Sequence, residues 1–192
     1  MIKWILSRAT CLEVDVIILA TTCSHEDDPL VRYAQSLQID KLEIVRGNAT
    51  DLVDRTIKCL DAESVDVFAR INGDSPFFPV SEINLAFETV AKNPACKFVT
   101  NLLERSYPYG VAVEVVTSEY YRGHSVDVPQ DALEHTTQHL YKLNASEIVS
   151  VELEANLTDV SLTVDTFEGY HALNDLIIAK GLDFLSEWTE AL

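Results

Sequence analysis

The sequence predicts an α/β protein with a mostly parallel sheet, and two observations support this prediction. Apolar, β-branched runs suited to buried strands lie at residues 15–21, 42–45 and 65–71. Helical patterns separate these runs, so the first 75 residues alternate strand, helix, strand, helix, strand. Such alternation indicates right-handed crossovers between parallel strands. The 192 residues suit one domain that spans 1–192.

The remaining elements follow from apolar spacing and from capping residues. Residues 2–9 and 28–37 have apolar positions at helical spacing, and Thr50 or Asp51 can cap a helix that ends near Leu60. Further helices are predicted over 80–92, 118–122, 130–143, 167–179 and 182–191, and further strands over 97–101, 111–116, 148–153 and 161–165.

Composition excludes several classes of protein. A formal net charge of -17 repels nucleic-acid backbones, so we expect no DNA or RNA partner. No apolar run of about 18 residues exists, so no membrane span is expected. The N-terminal residues are too short an apolar stretch for a signal peptide, and the four separated cysteines suit a reducing compartment. We therefore expect a cytoplasmic protein.

The strand over 65–71 ends in a polar segment with one acid. Asn72-Gly73 suits a tight turn, Asp74 follows it, and Pro76 stops the strand from continuing. In open α/β sheets, ligands bind outside the carboxyl ends of the strands. Asp74 is therefore a candidate metal ligand. The alternative is that Asp74 caps a turn or the helix that follows.

A second acid, Asp165, follows the short apolar run 162–164. If both strand ends open into one crevice, Asp74 and Asp165 can share a Mg²⁺ ion with substrate phosphates. The alternative is that Asp165 belongs to a helix N-cap with Thr166. No P-loop, dinucleotide fingerprint or nucleophile elbow occurs in the sequence.

A polar and aromatic loop over 101–110 is the second candidate. It carries an amide, a carboxylate and a guanidinium at Asn101, Glu104 and Arg105, and Arg105 can pair with the carboxylate of a sugar acid. The alternative is a solvated surface loop. His135 lies in a stretch predicted to be helical, where a lone histidine is more often packed or exposed than catalytic.

Several segments resemble the cytidylyltransferases of the spore-coat-polysaccharide type, which are relatives of CMP-sugar-acid synthetases such as 3-deoxy-manno-octulosonate cytidylyltransferase. Residues 70–76 resemble the Arg-Ile-Thr-Gly-Asp-Cys-Pro segment of that family. Residues 45–55 resemble its Arg-Gly and Asp-Val-Leu-Asp-Arg element, and 100–115 resemble Ser-Asn-Thr-Leu-Glu-Arg-Thr-Phe-Pro-x-Gly-Leu-Asp-Val-Glu-Val. Glu134-His-Thr and 162–166 resemble Glu-His-Val and Leu-Thr-Val-Asp-Thr.

The resemblance implies a three-layer nucleotide-diphospho-sugar transferase fold, which is Rossmann-like and here lacks the usual first strand. It also implies transfer of CMP from CTP to a sugar acid or related sugar in surface polysaccharide biosynthesis, with Mg²⁺ as cofactor. Asp74 and Asp165 become the catalytic and metal-binding residues. The other implied site residues are Arg70, Asn72 and Gly73 for the nucleotide, and Asn101, Glu104, Arg105, Glu114 and His135 for the substrate.

The sequence also departs from the family. Family members open with a strand and a Gly-rich, basic loop that cradles the triphosphate, whereas this sequence begins at what resembles their first helix. The family's Asp and Arg are replaced by Ala112 and Leu133. An active transferase, a non-catalytic binding or subunit-interface module, and a transferase that uses a nucleotide sugar all stay open. Without the first strand, we expect the sheet to close up, or a partner chain or symmetry-related copy to cover the gap. We also expect a homo-oligomer.

Overall fold

Seven α-helices and six strands occupy the residues that the computed structural model describes, which are 1–143 and 145–192. The helices are α1 (Ile2–Ala9), α2 (Asp28–Ser36), α3 (Leu52–Ala62), α4 (Val80–Lys92), α5 (Ser118–His124), α6 (Phe167–Lys180) and α7 (Trp188–Ala191). The strands are β1 (Ile17–Thr22), β2 (Leu42–Gly47), β3 (Val67–Ala69), β4 (Phe98–Thr100), β5 (Glu114–Thr117) and β6 (Ile148–Ser150). The predicted α/β class is confirmed.

The strands form two hydrogen-bonded sheets. In the first sheet, β1 and β2 run parallel and pair along their whole length. The second sheet has the order β3-β5-β4-β6, in which β4 and β6 are parallel. The Arg70 N–H bonds to the Glu114 carbonyl, and the Ser118 N–H bonds to the Asp66 carbonyl, so β3 and β5 run antiparallel.

The sheet does not close up in the way we expected. β1 and β3 are edge strands of different sheets, so the described strands do not form one continuous hydrogen-bonded sheet. The three apolar residues at the start of β1 are only half-buried, although the sequence predicted a buried strand there. Cover by a second copy stays a prediction.

Internal contacts divide the chain into two compact units, and the first comprises Met1–Glu13, Ala69–Val115 and Ser146–Leu192. The core of this unit is a cluster of seven buried residues: Phe77, Tyr107, Val111, Leu162, Leu173, Trp188 and Ala191. Trp4 of α1 packs its ring edge-on against Phe77, with 5.7 Å between the ring centroids. The interpretation of 1–192 as a single domain stays a prediction.

A buried guanidinium ties α1 to the rest of the first unit. Arg8 is 1% exposed and donates to the carbonyls of Phe78 and Phe184 over 2.8 and 3.0 Å, and to that of Ser186. Burial lowers the pKa of Arg8, and the nearby Glu187 carboxylate opposes this shift. A buried cation requires such partners, so Arg8 fixes the segment between α6 and α7.

The second unit comprises Val14–Phe68 and Val116–Ala145. Helix α3 lies against β1 and β2 and buries Val53, Cys59 and Leu60. The Asp51 carboxylate caps α3 by accepting a hydrogen bond from the Asp54 N–H over 2.8 Å, as the sequence predicted. The apolar face of one helix therefore covers a two-stranded sheet in this unit.

The predicted helix over 130–143 is wrong. The structure has two short 3₁₀ helices there, Gln130–Ala132 and Gln138–Lys142. Thr136 and Thr137 are buried between them, and the Tyr121 hydroxyl donates to the Thr136 carbonyl over 2.8 Å. A tertiary hydrogen bond thus takes an acceptor that a helix would have used within its own backbone.

Two other predicted elements are replaced by irregular structure. The strand over 161–165 is reduced to an isolated parallel bridge between Tyr109 and Ser161. The helix over 182–191 is confined to the four residues of α7. Carbonyls of the preceding loop accept from Arg8 instead, and Gly181 ends α6 in a left-handed conformation with φ 65°. No described helix is both long and apolar enough to cross a membrane.

Candidate functional site

Backbone hydrogen bonds join three segments of the first unit: residues 70–76, 101–114 and 160–166. The Val164 N–H donates to the Asp74 carbonyl over 2.9 Å, so the residue before Asp165 lies against Asp74. The Leu162 N–H donates to the Tyr109 carbonyl over 2.8 Å, which connects the second segment to the third. The two predicted metal ligands therefore lie in neighbouring segments.

Asp74 lies in a turn after β3. The Ser75 N–H donates to the Asn72 carbonyl over 3.3 Å, and the Ser75 hydroxyl donates to Asp74 Oδ1 over 2.8 Å. The N-cap residue of α4 is Pro79, which makes no side-chain cap bond. The alternative that Asp74 caps the following helix is therefore wrong.

Asp165 lies directly before α6 and is exposed. Its Oδ2 atom accepts a hydrogen bond from the Thr163 hydroxyl over 2.9 Å. The cap of α6 is Thr166, whose hydroxyl oxygen accepts from the Gly169 N–H over 3.0 Å. Because Thr166 provides the side-chain cap, the Asp165 carboxylate is not used in that role.

The two carboxylates keep an oxygen atom each for a ligand. Among the described residues, Asp74 Oδ2 and Asp165 Oδ1 have no hydrogen-bond or ion-pair partner. Mg²⁺ in proteins usually binds one or two carboxylates and completes its coordination with water and phosphate oxygens. Each carboxylate thus has one oxygen atom without a partner in the described part of the chain, and a Mg²⁺ ion shared by Asp74 and Asp165 stays a prediction. The hydrogen bonds from the Ser75 and Thr163 hydroxyls to these carboxylates were not predicted from the sequence.

Arg70 and Glu114 form a buried ion pair beside this site. Arg70 Nη1 lies 2.7 Å from Glu114 Oε2, and the side chains are 24% and 0% exposed. The backbone N–H of Arg70 also donates to the Glu114 carbonyl over 3.0 Å. The sequence suggested Arg70 for the nucleotide and Glu114 for the substrate, whereas here each charge has the other as a partner.

Asn101 is fully buried and holds the loop after β4 closed. Its side-chain amide donates to the Val111 carbonyl over 2.8 Å, and its Oδ1 accepts from the Val113 N–H over 2.9 Å. Both ends of the amide are thus bonded to backbone. This geometry gives Asn101 a positioning function for the loop, and its suggested contact with a substrate stays a prediction.

The exposed part of this loop presents a cation. The Arg105 guanidinium lies 4.1 Å above the centre of the Tyr109 ring, which is a cation–π arrangement. Arg105 and its neighbour Glu104 are both exposed. Stacking on Tyr109 restricts the Arg105 side chain while leaving its N–H groups directed to solvent or a ligand.

Two glycines of the site behave differently. Gly110 has φ 89°, and a β-carbon there would lie 2.9 Å from the Leu162 backbone. Gly73 has open space around it and does not have a positive φ. The sequence indicated that Asn72-Gly73 suits a tight turn, but the position whose conformation favours glycine is Gly110, in the Tyr-Pro-Tyr-Gly part of the loop.

His135 belongs to the second unit and is exposed. Its backbone N–H donates to the Ala132 carbonyl over 3.0 Å, which closes a turn after the first 3₁₀ helix. Its suggested role in substrate binding stays a prediction.

The second unit has its own acids at a strand end. Asp27 Oδ2 accepts from the Thr21 hydroxyl and from both the hydroxyl and the N–H of Thr22. These bonds, with the Thr22 hydroxyl contributing most, lower the pKa of Asp27. The Arg46 guanidinium, followed by His25, lowers the pKa of Asp28.

Comparison with known proteins agrees with this fold. No family model matches the chain. The chain is 35% identical to an uncharacterized protein of Methanocaldococcus jannaschii over 81 residues. These residues make up 42% of this chain and 32% of that protein. The match thus spans about a third of the length of that relative.

Solved structures that are similar to the chain include three cytidylyl-transferring proteins. A cytidylyltransferase from Leptospira borgpetersenii aligns with TM-score 0.85 and 21% identity over 96% of this chain and 79% of that one. The CMP:2-keto-3-deoxy-manno-octonic acid synthetase complexed with CTP aligns with TM-score 0.65 and 16% identity, covering 94% and 88% of the two chains. The 4-diphosphocytidyl-2C-methyl-D-erythritol synthase from Anaerococcus prevotii gives TM-score 0.59 and 14% identity, covering 91% and 85%. The chain has a cytidylyltransferase-like fold.

Proposed function

We propose that this protein is a nucleotidyltransferase that transfers CMP from CTP to a sugar acid or related sugar. The observation that carries the proposal is the hydrogen bond from the Val164 N–H to the Asp74 carbonyl. It brings the segments of Asp74 and Asp165 together on a cytidylyltransferase-like fold, and each carboxylate keeps a free oxygen. In this reaction an acceptor hydroxyl oxygen bonds to the α-phosphorus of CTP, loses its proton, and pyrophosphate departs.

The residues of the site have distinct roles in this proposal. Asp74 and Asp165 hold Mg²⁺, which would neutralise charge on the phosphates. The Arg70–Glu114 pair fixes the start of the segment that carries Asp74. Arg105, stacked on Tyr109, pairs with the acidic group of the acceptor. Surface polysaccharide biosynthesis in the cytoplasm is the setting that this substrate class suggests.

Pyrophosphate release from CTP tests the proposal. The purified chain is incubated with CTP, Mg²⁺ and a panel of sugar acids that includes 3-deoxy-manno-octulosonate. We expect Asp74→Asn and Asp165→Asn to lower the rate at least 100-fold, because transition-state charge would lose its counter-ion. Asp159→Asn, which changes an exposed acid of the same unit, should leave the rate unchanged.

A binding or subunit-interface module without catalytic activity is the second candidate. The observation that favours it is the Arg70–Glu114 pair, because a cation suggested for the nucleotide is already bonded to a carboxylate. Isothermal titration with CTP and Mg²⁺ separates the two functions. A non-catalytic module binds CTP but releases no pyrophosphate with any acceptor. An enzyme binds CTP and also releases pyrophosphate. Absence of binding to the wild-type chain would exclude a nucleotide site in it.

We also propose that the protein partner is a second copy of this chain, packed through the outer face of α6. Phe167 and Ile178 on this face are 72% and 71% exposed. Two antiparallel copies of α6, related by an axis beside residue 173, place Phe167 over Ala179 of the second copy. The same register places the His171 ring opposite the Asp175 carboxylate, and a two-fold axis forms this pair twice.

Sedimentation equilibrium tests this interface. Ile178→Glu should produce a monomer, whereas Leu85→Glu, at a 63% exposed position on α4, should not change the mass. His171→Asp should weaken association by placing like charges opposite each other, and adding Asp175→His should restore it. A monomeric wild-type chain at all concentrations would contradict the proposal.

A further inference from the structure

Each aspartate of the proposed metal site accepts a hydrogen bond from one neighbouring hydroxyl. Ser75 Oγ donates to Asp74 Oδ1 over 2.8 Å, and Thr163 Oγ1 donates to Asp165 Oδ2 over 2.9 Å. The two arrangements are equivalent, because in each case one carboxylate oxygen is bonded and the other is free. A carboxylate that is bonded in this way has fewer orientations available when a cation binds.

The Ser75 hydroxyl is fixed by its surroundings. Ser75 is 3% exposed, its N–H donates to the Asn72 carbonyl, and its carbonyl accepts from the Phe78 N–H over 3.3 Å. Phe78 itself is buried. A buried residue with its backbone bonded on both sides keeps its side chain in one place, so the Asp74 carboxylate beside it is oriented by a rigid donor.

The Thr163 hydroxyl is fixed in a different way. The hydroxyls of Thr163 and Ser161 are within hydrogen-bond distance of each other, at 2.9 Å. A β-carbon on Gly110 would lie 3.0 Å from the Thr163 methyl group, so the absence of a side chain at Gly110 leaves room for Thr163 in this position. Hydrogen bonds therefore link the Ser161 hydroxyl to the Thr163 hydroxyl and the Thr163 hydroxyl to the Asp165 carboxylate.

We propose that Ser75 and Thr163 are positioning residues that orient Asp74 and Asp165 for a divalent cation. This inference rests on the proposed function, because it concerns the same Mg²⁺ site. Each hydroxyl holds one carboxylate oxygen and leaves the other directed to the ion, which raises the affinity for the ion without contact with it. The hydrogen bonds lie 88 residues apart in the sequence, yet both belong to the joined segments of the first unit.

Mn²⁺ binding, measured by the loss of the free-ion electron paramagnetic resonance signal, tests the proposal on the full chain. Mg²⁺ competition identifies the specific site against weak binding to the other acids of this chain. We expect Ser75→Ala and Thr163→Val each to weaken the competed Mn²⁺ binding about tenfold, in line with the effect of other outer-sphere partners. Thr163→Ser keeps the hydroxyl and should retain wild-type affinity.

Thr89→Val is the matched control, because it removes a hydroxyl of the same unit that bonds only the Leu85 carbonyl. Melting temperatures, measured on every variant, show whether it is folded. Unchanged Mn²⁺ affinity in folded Ser75→Ala and Thr163→Val, with binding lost in Asp74→Asn, overturns the positioning roles alone. Absence of competed Mn²⁺ binding in the wild-type chain overturns the metal site of the proposed function as well.

Discussion

Acids follow strands in both units, but their carboxylates are used differently. Asp27, after β1 in the second unit, accepts three hydrogen bonds through one oxygen, and its neighbour Asp28 is paired with Arg46. Asp74, after β3, and Asp165, before α6, accept one hydroxyl bond each. Position at a strand end is therefore shared by acids that accept three hydrogen bonds and acids that accept one, and the proposed metal ligands belong to the second kind.

The ion pairs of the two units differ in how far their side chains are buried. Arg70–Glu114 in the first unit has a carboxylate with no exposed surface, whereas both side chains of Arg46–Asp28 in the second unit are about 30% exposed. Water can replace the partner of an exposed charge but not that of a buried one. The Arg70–Glu114 pair therefore fixes local structure, and the Arg46–Asp28 pair contributes less to the free energy of unfolding.

The largest expected effect is on stability, from Glu114→Ala. Removal of a buried carboxylate leaves the Arg70 guanidinium without its partner, and breaking a buried pair typically costs about 3–5 kcal/mol. Arg70 keeps some exposure, so we expect about 3 kcal/mol, measured as the free energy of unfolding in urea.

A double variant controls this experiment. Arg70→Met with Glu114→Leu removes both charges, so it should recover most of the loss, because apolar replacements of similar size do not leave a buried charge. Asp28→Ala, in the exposed pair, should cost less than Glu114→Ala. Equal losses in Asp28→Ala and Glu114→Ala would contradict the difference between the two units.

Asp74→Asn and Asp27→Asn should have opposite effects on function and stability. Asp74→Asn should abolish competed Mn²⁺ binding with little change in melting temperature, because only one hydroxyl bond of its carboxylate is altered. Asp27→Asn should lower the melting temperature and leave Mn²⁺ binding unchanged, because three donors lose a charged acceptor. The same result for both variants would contradict the difference between a carboxylate with three donors and a carboxylate with one.

The two site glycines provide a smaller and more local comparison. Gly110→Ala requires a positive φ and places a β-carbon 2.9 Å from backbone atoms of Leu162, so we expect a loss of about 1–3 kcal/mol. A β-carbon at position 73 would have no atom within 4 Å, and the backbone there does not have a positive φ. The free energy of unfolding of Gly73→Ala should therefore be within about 0.5 kcal/mol of wild type. Urea unfolding of both variants measures the difference, and a destabilised Gly73→Ala would contradict it.

Local signals in the sequence were sufficient for several of the regular helices. The apolar spacing over 80–92 and the cap at Asp51 are local signals, and α4 and α3 form where they predict. Asp74 and Asp165 were proposed as site acids because each follows an apolar run, and that role stays a prediction. These features depend on neighbours within a few residues, which a sequence displays directly.

Long-range bonding was not visible in the sequence. Arg70 and Glu114 are 44 residues apart, and no local pattern marks them as partners. The helix predicted over 130–143 failed because a hydroxyl from α5 bonds the Thr136 carbonyl. Likewise, the spacing of small and polar residues could not show that Gly110, rather than Gly73, contacts the segment before Asp165.

The smallest expected effect is the pH dependence of stability from the second unit. Burial, followed by the nearby His124, lowers the pKa of His139. His139 Nε2 lies 3.2 Å from the Ser125 hydroxyl and its ring packs edge-on against Tyr121, and neither of these side chains is charged at neutral pH. In the unfolded chain His139 takes up a proton near pH 6.5, and in the folded chain only at a lower pH. Its contribution is therefore complete above about pH 6.5 and is lost as the pH falls towards the folded pKa.

The acids Asp27 and Asp28 add a second and separate window, because their folded pKa values lie below the unfolded value near 3.9. Their contribution is present above about pH 4 and disappears as the pH falls through the folded values. Melting temperatures from pH 8 to 3 should thus decline in two steps, one below pH 6.5 and one below pH 4. His139→Gln should remove the step below pH 6.5, and Asp27→Asn should reduce the one below pH 4. A wild-type-like profile in His139→Gln would show that the first step originates elsewhere, because no other change was made near that ring.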